Sequence, residues 1–359
     1  REHIEDCLMI LECLKICFPK AKEIVREISF WDVVRVSVIM HDLGKAHSEF
    51  TKVLLGLKND WNRQRHELFS LPFIEGLNVE EPVKQLIRLV VAGHHRDFER
   101  LYKDYISNAY SNGNGEDEFG DEGLISYEEE FKKVNVEDVV YLLENDFGIE
   151  LAKYNVESPQ KLILSYLHES ANSGFNTKNK EYFKLLLLFG ALKHCDHLGS
   201  AQMRKIEFLE NSSFLFLENQ RINLLSKKND FYTHQLKCAN TIGNTILTAP
   251  TGSGKTESAM LWLKNQLESD GQGRSFYVLP FTASINAMYE RLSSEENGLG
   301  NSKVGMLHGK LQDYLYGYLD DAQYIKTSKK ETINEIRNKF KTLSTPLKII
   351  TPFQLIKNL

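Results

Sequence analysis

Apolar residues in the first half of the chain gather into stretches without alternating polarity. Val33–Met40, Val83–Val91 and Tyr182–Leu192 are each flanked by charge and are too long for ordinary strands. They predict helices, and with them an all-helical domain over residues 1–200. After residue 200 the pattern changes. Short β-rich runs at Thr245–Thr248, Phe276–Leu279, Lys303–Leu307 and Leu347–Thr351 alternate with helical segments near Thr256–Leu267, Ser284–Leu292 and Glu331–Leu343. Strands alternating with helices predict a parallel sheet covered on both faces. The expected fold is therefore multidomain, α followed by α/β, with a linker over 201–229 and a P-loop α/β lobe over 230–359.

Composition narrows this only a little. Of 359 residues, 42% are hydrophobic and 26% charged, which excludes global disorder and fibrous classes. The longest apolar run, Leu185–Leu192, falls far short of the roughly 20 residues that cross a bilayer, so no membrane-spanning helix is expected. No apolar segment near the start reads as a secretory signal. Cys7, Cys13, Cys17, Cys195 and Cys238 form no C-x-x-C pair and leave one thiol over, which fits reduced cysteines in a cytoplasmic protein. The net charge of −5 hides an acidic first half and a mildly basic second half, too mild to name or exclude a nucleic-acid partner. Asn112–Gly123, rich in Gly, Asn and acid, reads as an exposed loop. The chain opens on Arg1 rather than Met, so a piece upstream is expected to be missing.

The second half carries a strong chemical signal in residues 248–256, TAPTGSGKT. An apolar run leads in and a helical pattern leads out, the context a phosphate-binding loop requires. Gly252 and Gly254 allow the backbone to curl so that Thr251, Ser253 and their neighbours turn N–H groups towards phosphate oxygens. Lys255 would reach the β and γ phosphates and Thr256 would hold Mg²⁺, so Mg-ATP is the expected ligand. Ala249 stands where the strict motif has its first glycine. Pro280 and Thr282, and again Thr351 and Pro352, fall at the ends of expected strands, where hydroxyls and amides can hold a DNA backbone without reading bases. Gln235 lies about 20 residues before the loop. In this order the segments resemble the Q motif and motifs I, Ia and Ib of superfamily 2 helicases. That resemblance implies a RecA-like first lobe in which Gln235 reads adenine. No strand ending in an Asp-Glu pair follows Lys255, so the lobe reads as truncated and a weak ATPase as it stands.

The first half carries His3, His41-Asp42, His66, His94-His95 and Asp196. Imidazole with carboxylate suits Mn²⁺, Fe²⁺, Co²⁺, Ni²⁺ or Zn²⁺, and an aspartate can bridge two ions that clamp an in-line phosphoryl displacement. His41-Asp42 ends one apolar helical stretch and His94-His95 another, suggesting a site at the mouth of a helical bundle. The pieces HDLGKAHSEF, RHELFSL, GHHR and CDHLGSA, ahead of a superfamily 2 loop, look like the CRISPR-associated HD nuclease–helicases of type I systems.

This resemblance implies one metal held by His3, His41, Asp42 and Asp196, and a second by Asp42, His66, His94 and His95. Asp42 would bridge them and Lys45 would steady the scissile phosphate. His194 and His197 are read as supporting or inert. The resemblance further implies a Cascade complex carrying CRISPR RNA, a displaced single DNA strand as substrate, and a 3′→5′ ATP-driven motor. Two other readings stand beside it: an HD phosphohydrolase of small nucleotides, and a non-catalytic ATP-gated DNA-binding module.

Overall fold

A computed structural model describes residues 1–24, 29–61, 64–95, 127–152, 156, 162, 180–318, 326–342 and 344–358. The expected loop 112–123 lies outside them. The chain divides into two compact units, one made of residues 1–14 and 20–204 and the other of residues 15–19 and 205–359. No helix among the described residues is long and apolar enough to cross a membrane.

The first unit is helical. Its main elements are α1 (Glu2–Cys17, of which residues 2–14 belong to this unit), α2 (Phe30–Met40), α3 (Glu81–Gly93) and α4 (Lys180–Ser200). α1 carries Glu2 and Glu5 in its first turn and Lys15 in its last, charges that complement the helix dipole. α2 is rich in β-branched valines, poor helix formers by themselves. Burial overrides that preference, since Phe30, Val33, Val34, Val38, Ile39 and Met40 all lie in the core. α3 starts with Pro82 in its first turn, where no N–H is missed, and buries Leu86, Ile87, Leu89, Val90 and Val91. Its one buried charge, Arg88, is held by Glu75 and Glu81. Both α2 and α3 therefore run through the core and end abruptly on histidines.

The second unit contains α5 (Thr233–Ala239), α6 (Lys255–Asp270), β1 (Ser275–Val278), α7 (Thr282–Leu292), β2 (Val304–Leu307), α8 (Lys326–Lys341) and β3 (Leu347–Ile350). The strands form one parallel sheet in the order β1-β3-β2. Val278 and Leu307 both register with Ile350, so the three carboxyl ends lie in a row.

Two expectations are corrected. Residues 245–248 form no strand, because a strand exists only where neighbours complete its ladder, and Ile246 is 96% exposed. Cover of the sheet is also incomplete: β2 and β3 are buried throughout, whereas Phe276 and Val278 of β1 are exposed.

Candidate functional site

α2 ends at Met40, and His41 caps it in helical geometry. The ring of His41 donates from Nδ1 to the carbonyl of Val38 at 2.7 Å. That bond leaves Nε2 with a lone pair for a ligand role. At the end of α3 the same device recurs, with His94 Nδ1 donating to Val91 O at 2.6 Å. Two core helices thus deliver two fully buried imidazoles with their Nε2 atoms committed to the same region.

Asp42 follows His41 and leads into a tight turn, Leu43–Ala46. Ser70 pins this turn by accepting from Gly44 N at 2.9 Å and donating to His41 O at 3.1 Å. Gly44 has no room for a side chain, since a Cβ there would sit 1.9 Å from the carbonyl oxygen of His66. Gly44→Ala is therefore expected to force the His41-Asp42 turn away from His66. A loss of about 2–4 kcal/mol in denaturant unfolding, with weakened divalent-ion uptake by calorimetry, is the expected result.

The two oxygens of Asp42 face different ligand sets. Oδ2 lies 3.3 Å from both His3 Nε2 and His41 Nε2. His3 Nε2 and His41 Nε2 are 3.3 Å apart, and Asp196 Oδ1 stands 3.3 and 3.7 Å from them. Oδ1 of Asp42 instead lies 3.0 Å from His66 Nε2 and 3.9 Å from His94 Nε2, and His66 meets His95 at 3.2 Å. These are two four-residue groups sharing Asp42, each with its donor atoms mutually within 4.8 Å. All seven residues expected from the sequence to be ligands are brought together.

The spacing fits metal ions. Donors about 2.0–2.1 Å from a tetrahedral ion stand roughly 3.3–3.4 Å from one another. Four donor–donor edges in the His3, His41, Asp42 and Asp196 group measure 3.3 Å and the His41–Asp196 edge 3.7 Å, close to that length. Among the described residues His94 Nε2 is also buried without a hydrogen-bond partner, an arrangement that costs stability unless a ligand takes it up.

The charges agree with this reading. Burial alone would raise the Asp42 carboxyl, but the charge of His41 and hydrogen bonds from His41 and His66 hold it well below the carboxylate range. Asp196 is likewise held low, against burial, by His3 and His41. His41 is pushed up to about 9, with burial opposed by Asp42 and Asp196, so ion uptake must displace its proton. Burial, with His41 and His95 nearby, keeps His94 neutral, the form that ligates metal. Lys45 donates to Asp42 Oδ2 at 2.6 Å.

The sequence did not point to Ser70 or Cys7. Cys7 sits one turn after His3 on α1, its Sγ 3.6 Å from His3 Nε2. Burial, then the neighbouring Cys195 and Asp196, raise its thiol well above the usual value.

In the second unit Gly252 and Gly254 take positive φ of 80° and 77°, which only glycine adopts freely, and Gly254 caps α6. Thr251, Gly252, Gly254, Lys255, Thr256 and Gln235 line a cavity of about 620 Å³. Lys255 donates to the carbonyls of Ala249 and Pro250, and Ser253 Oγ donates to Pro250 O. Gln235 is buried and spends its amide on the backbone, accepting from Tyr232 N at 2.8 Å and donating to Gly254 O at 3.3 Å. Contact with adenine would require exchanging these bonds. His234, which the sequence did not single out, donates to Ser253 O at 2.9 Å and steadies the loop. Pro280 and Thr282 follow β1, while Thr351 and Pro352 follow β3. Leu279 N donates to Ile350 O, so these two segments lie at neighbouring strand ends.

Residues 232–357 match the DEAD/DEAH box helicase family. The chain is 24% identical, over 76% of its length, to a CRISPR-associated nuclease/helicase Cas3 of Methanocaldococcus jannaschii, and 21% identical, over 89%, to a Cas3 of Methanothermobacter thermautotrophicus. It spans about two fifths of the length of these relatives, 39% and 40%. The crystal structure of T. fusca Cas3 aligns with 99% of the chain and 42% of its own at 16% identity and a TM-score of 0.47. Its ATP-bound form aligns with 98% and 41% at 14% identity and a TM-score of 0.45.

Proposed function

We propose that this chain, a Cas3-like protein, is a metal-dependent nuclease of single-stranded DNA joined to the first lobe of an ATP-driven helicase. In this reading residues 1–200 form the HD nuclease domain, 230–359 a RecA-like lobe, and 201–229 the linker between them, which packs Leu209, Phe214 and Leu217 into the core of the second unit. The observation that carries the reading is the splayed carboxylate of Asp42, with one oxygen turned to each of two ligand sets. A small-nucleotide phosphohydrolase would account for His41-Asp42 but leaves the helicase lobe without a task.

Ions of the Mn²⁺, Fe²⁺, Co²⁺ or Ni²⁺ type held here would supply Lewis acidity and a metal-activated water. His3, His41 and Asp196 would hold one such ion and His66, His94 and His95 the other, with Asp42 shared. The Val38 and Val91 carbonyls keep His41 and His94 in the ligating tautomer. Lys45 Nζ stands beside Asp42 Oδ2, where its ammonium would meet the phosphate charge that grows during cleavage.

In the second unit Lys255 and the loop amides hold the nucleotide phosphates while Thr256 takes Mg²⁺. Thr282 and Thr351, beside Pro280 and Pro352, grip the DNA backbone at the strand ends without reading sequence. The substrate is the displaced strand of an R-loop opened in the cytoplasm by a Cascade–CRISPR RNA complex, and 3′→5′ reeling by the whole motor would feed the nuclease.

Incubation with circular single-stranded DNA and Mn²⁺ or Ni²⁺ tests this. Nicking of the circle is expected, and Lys255→Ala should leave nicking intact while stopping ATP-driven movement in a full-length version. Phosphate release from nucleotides alone would favour the phosphohydrolase. Binding without any cleavage would favour the ATP-gated module.

A further inference from the structure

We propose that His3, Cys7 and His41 form a thiophilic trap in which a zinc-type ion binds one sulfur and two imidazoles and silences the nuclease. This rests on the reading of His3 and His41 as ligands of the working centre. It adds a donor that the working centre does not use.

The geometry begins with α1. His3 and Cys7 are four residues apart on one helix face, so both side chains reach the same point. Cys7 Sγ stands 3.6 Å from His3 Nε2, and His3 Nε2 stands 3.3 Å from His41 Nε2. A tetrahedral ion with a sulfur ligand at about 2.3 Å and a nitrogen ligand at about 2.05 Å separates the two donors by roughly 3.5 Å. Two nitrogens on the same ion stand roughly 3.3 Å apart. The three donor atoms are all within 4.8 Å of one another.

Packing holds the thiol in place. Cys7 is fully buried, and Gly199 of α4 faces it so closely that a Cβ would come within 2.6 Å of Sγ. Glycine at 199 thus leaves just enough space for a sulfur directed at the imidazoles.

Donor chemistry then sets the selectivity. Hard ions such as Mn²⁺ and Mg²⁺ favour the carboxylates of Asp42 and Asp196 and gain little from sulfur. Zn²⁺ and Co²⁺ accept thiolate readily. As the metal–sulfur bond forms, the thiol proton leaves to buffer, and no electron changes hands. An ion in the trap occupies the imidazoles of His3 and His41, which the working ion beside Asp42 also needs. The two occupancies are therefore exclusive, and Zn²⁺ held in the trap acts as an inhibitor.

Titration with Co²⁺ provides the test, because cobalt bound to thiolate shows an intense sulfur-to-metal charge-transfer band in the near ultraviolet. The parent chain should show this band, and Cys7→Ser should lose it. By competition calorimetry Cys7→Ser should bind Zn²⁺ at least roughly tenfold more weakly. Mn²⁺ binding, read by electron paramagnetic resonance, should change less than about twofold. Cys7→Ala, checked for folding by circular dichroism, should reproduce both results.

Zn²⁺ added to Mn²⁺-driven nicking should inhibit the parent at concentrations at least roughly tenfold lower than it inhibits Cys7→Ser. A band that survives the substitution, or equal Zn²⁺ affinity in parent and variant while Mn²⁺ binds normally, overturns the trap and leaves the nuclease reading standing. Absence of Mn²⁺ and Zn²⁺ binding alike overturns the metal centre itself, and the trap with it.

Discussion

Asp42→Asn is expected to empty both ion positions and to lower single-strand nicking by at least roughly 10³-fold, about 4 kcal/mol in the barrier. The substitution keeps the shape of the side chain and removes only its charge and one acceptor oxygen. In the native chain Oδ2 serves the group of His3, His41 and Asp196, and Oδ1 serves the group of His66, His94 and His95. Five neutral imidazoles and two carboxylates would balance only half of the charge on two divalent ions. The single negative charge lost at Asp42 therefore weakens both positions together.

His66→Ala, by contrast, removes a donor from one group only, and should lower bound Mn²⁺ from two ions per chain to one. Metal content measured after gel filtration separates these outcomes. A merely structural role for Asp42 would weaken folding and spare the stoichiometry of the fraction that folds. Two ions retained by folded Asp42→Asn would refute the bridging role.

Of the candidate ligands, His41-Asp42 and His94-His95 were legible from where they stand in the hydrophobic pattern, whereas His3, His66 and Asp196 rested on the family resemblance. α2 and α3 are core helices, and the residues at which their apolar runs stop, His41-Asp42 and His94-His95, are ligand types with no reason to cap a buried helix otherwise. Glycine spacing around Lys255, with the helical pattern behind it, was equally readable. What escaped notice depends on distance in the chain. Ser70 holds a turn 26 residues before it, and no local pattern marks a serine for that task. Cys7 could have been found, since it stands at helical spacing from His3, but a cysteine in an apolar helix ordinarily reads as core. The missing strand at 245–248 has a third cause. Alternation and apolarity describe a segment's own residues, whereas a strand is defined by the ladder it shares, and nothing in Thr245–Thr248 reports on that.

Lys348 gives the second large effect, through pH. It lies in the middle strand of the sheet, in register with Phe276 on one side and Gly305 on the other, and is 4% exposed. Among the described residues it has no acidic partner, and Gly305 opposite has no space for a larger side chain because Thr345 and Phe340 crowd it. Burial first, and then the charge of Arg274, lower its ammonium from 10.5 to about 7. Between those values the unfolded chain binds a proton that the folded chain does not, so stability must rise with pH across that window. Below about pH 7 both states are protonated and the cost of burying the charge is carried in full, about 5 kcal/mol from the size of the shift. From pH 7 to pH 9 the parent should gain about 2.5 kcal/mol from this group alone. Lys348→Met fills similar space without a charge, so it should raise stability at pH 7 by several kcal/mol and abolish that share of the slope. Urea unfolding of parent and variant at both pH values provides the comparison. Parallel pH dependence in the two chains would show that Lys348 keeps its proton in the folded state, and that the sheet supplies it with a partner or with water.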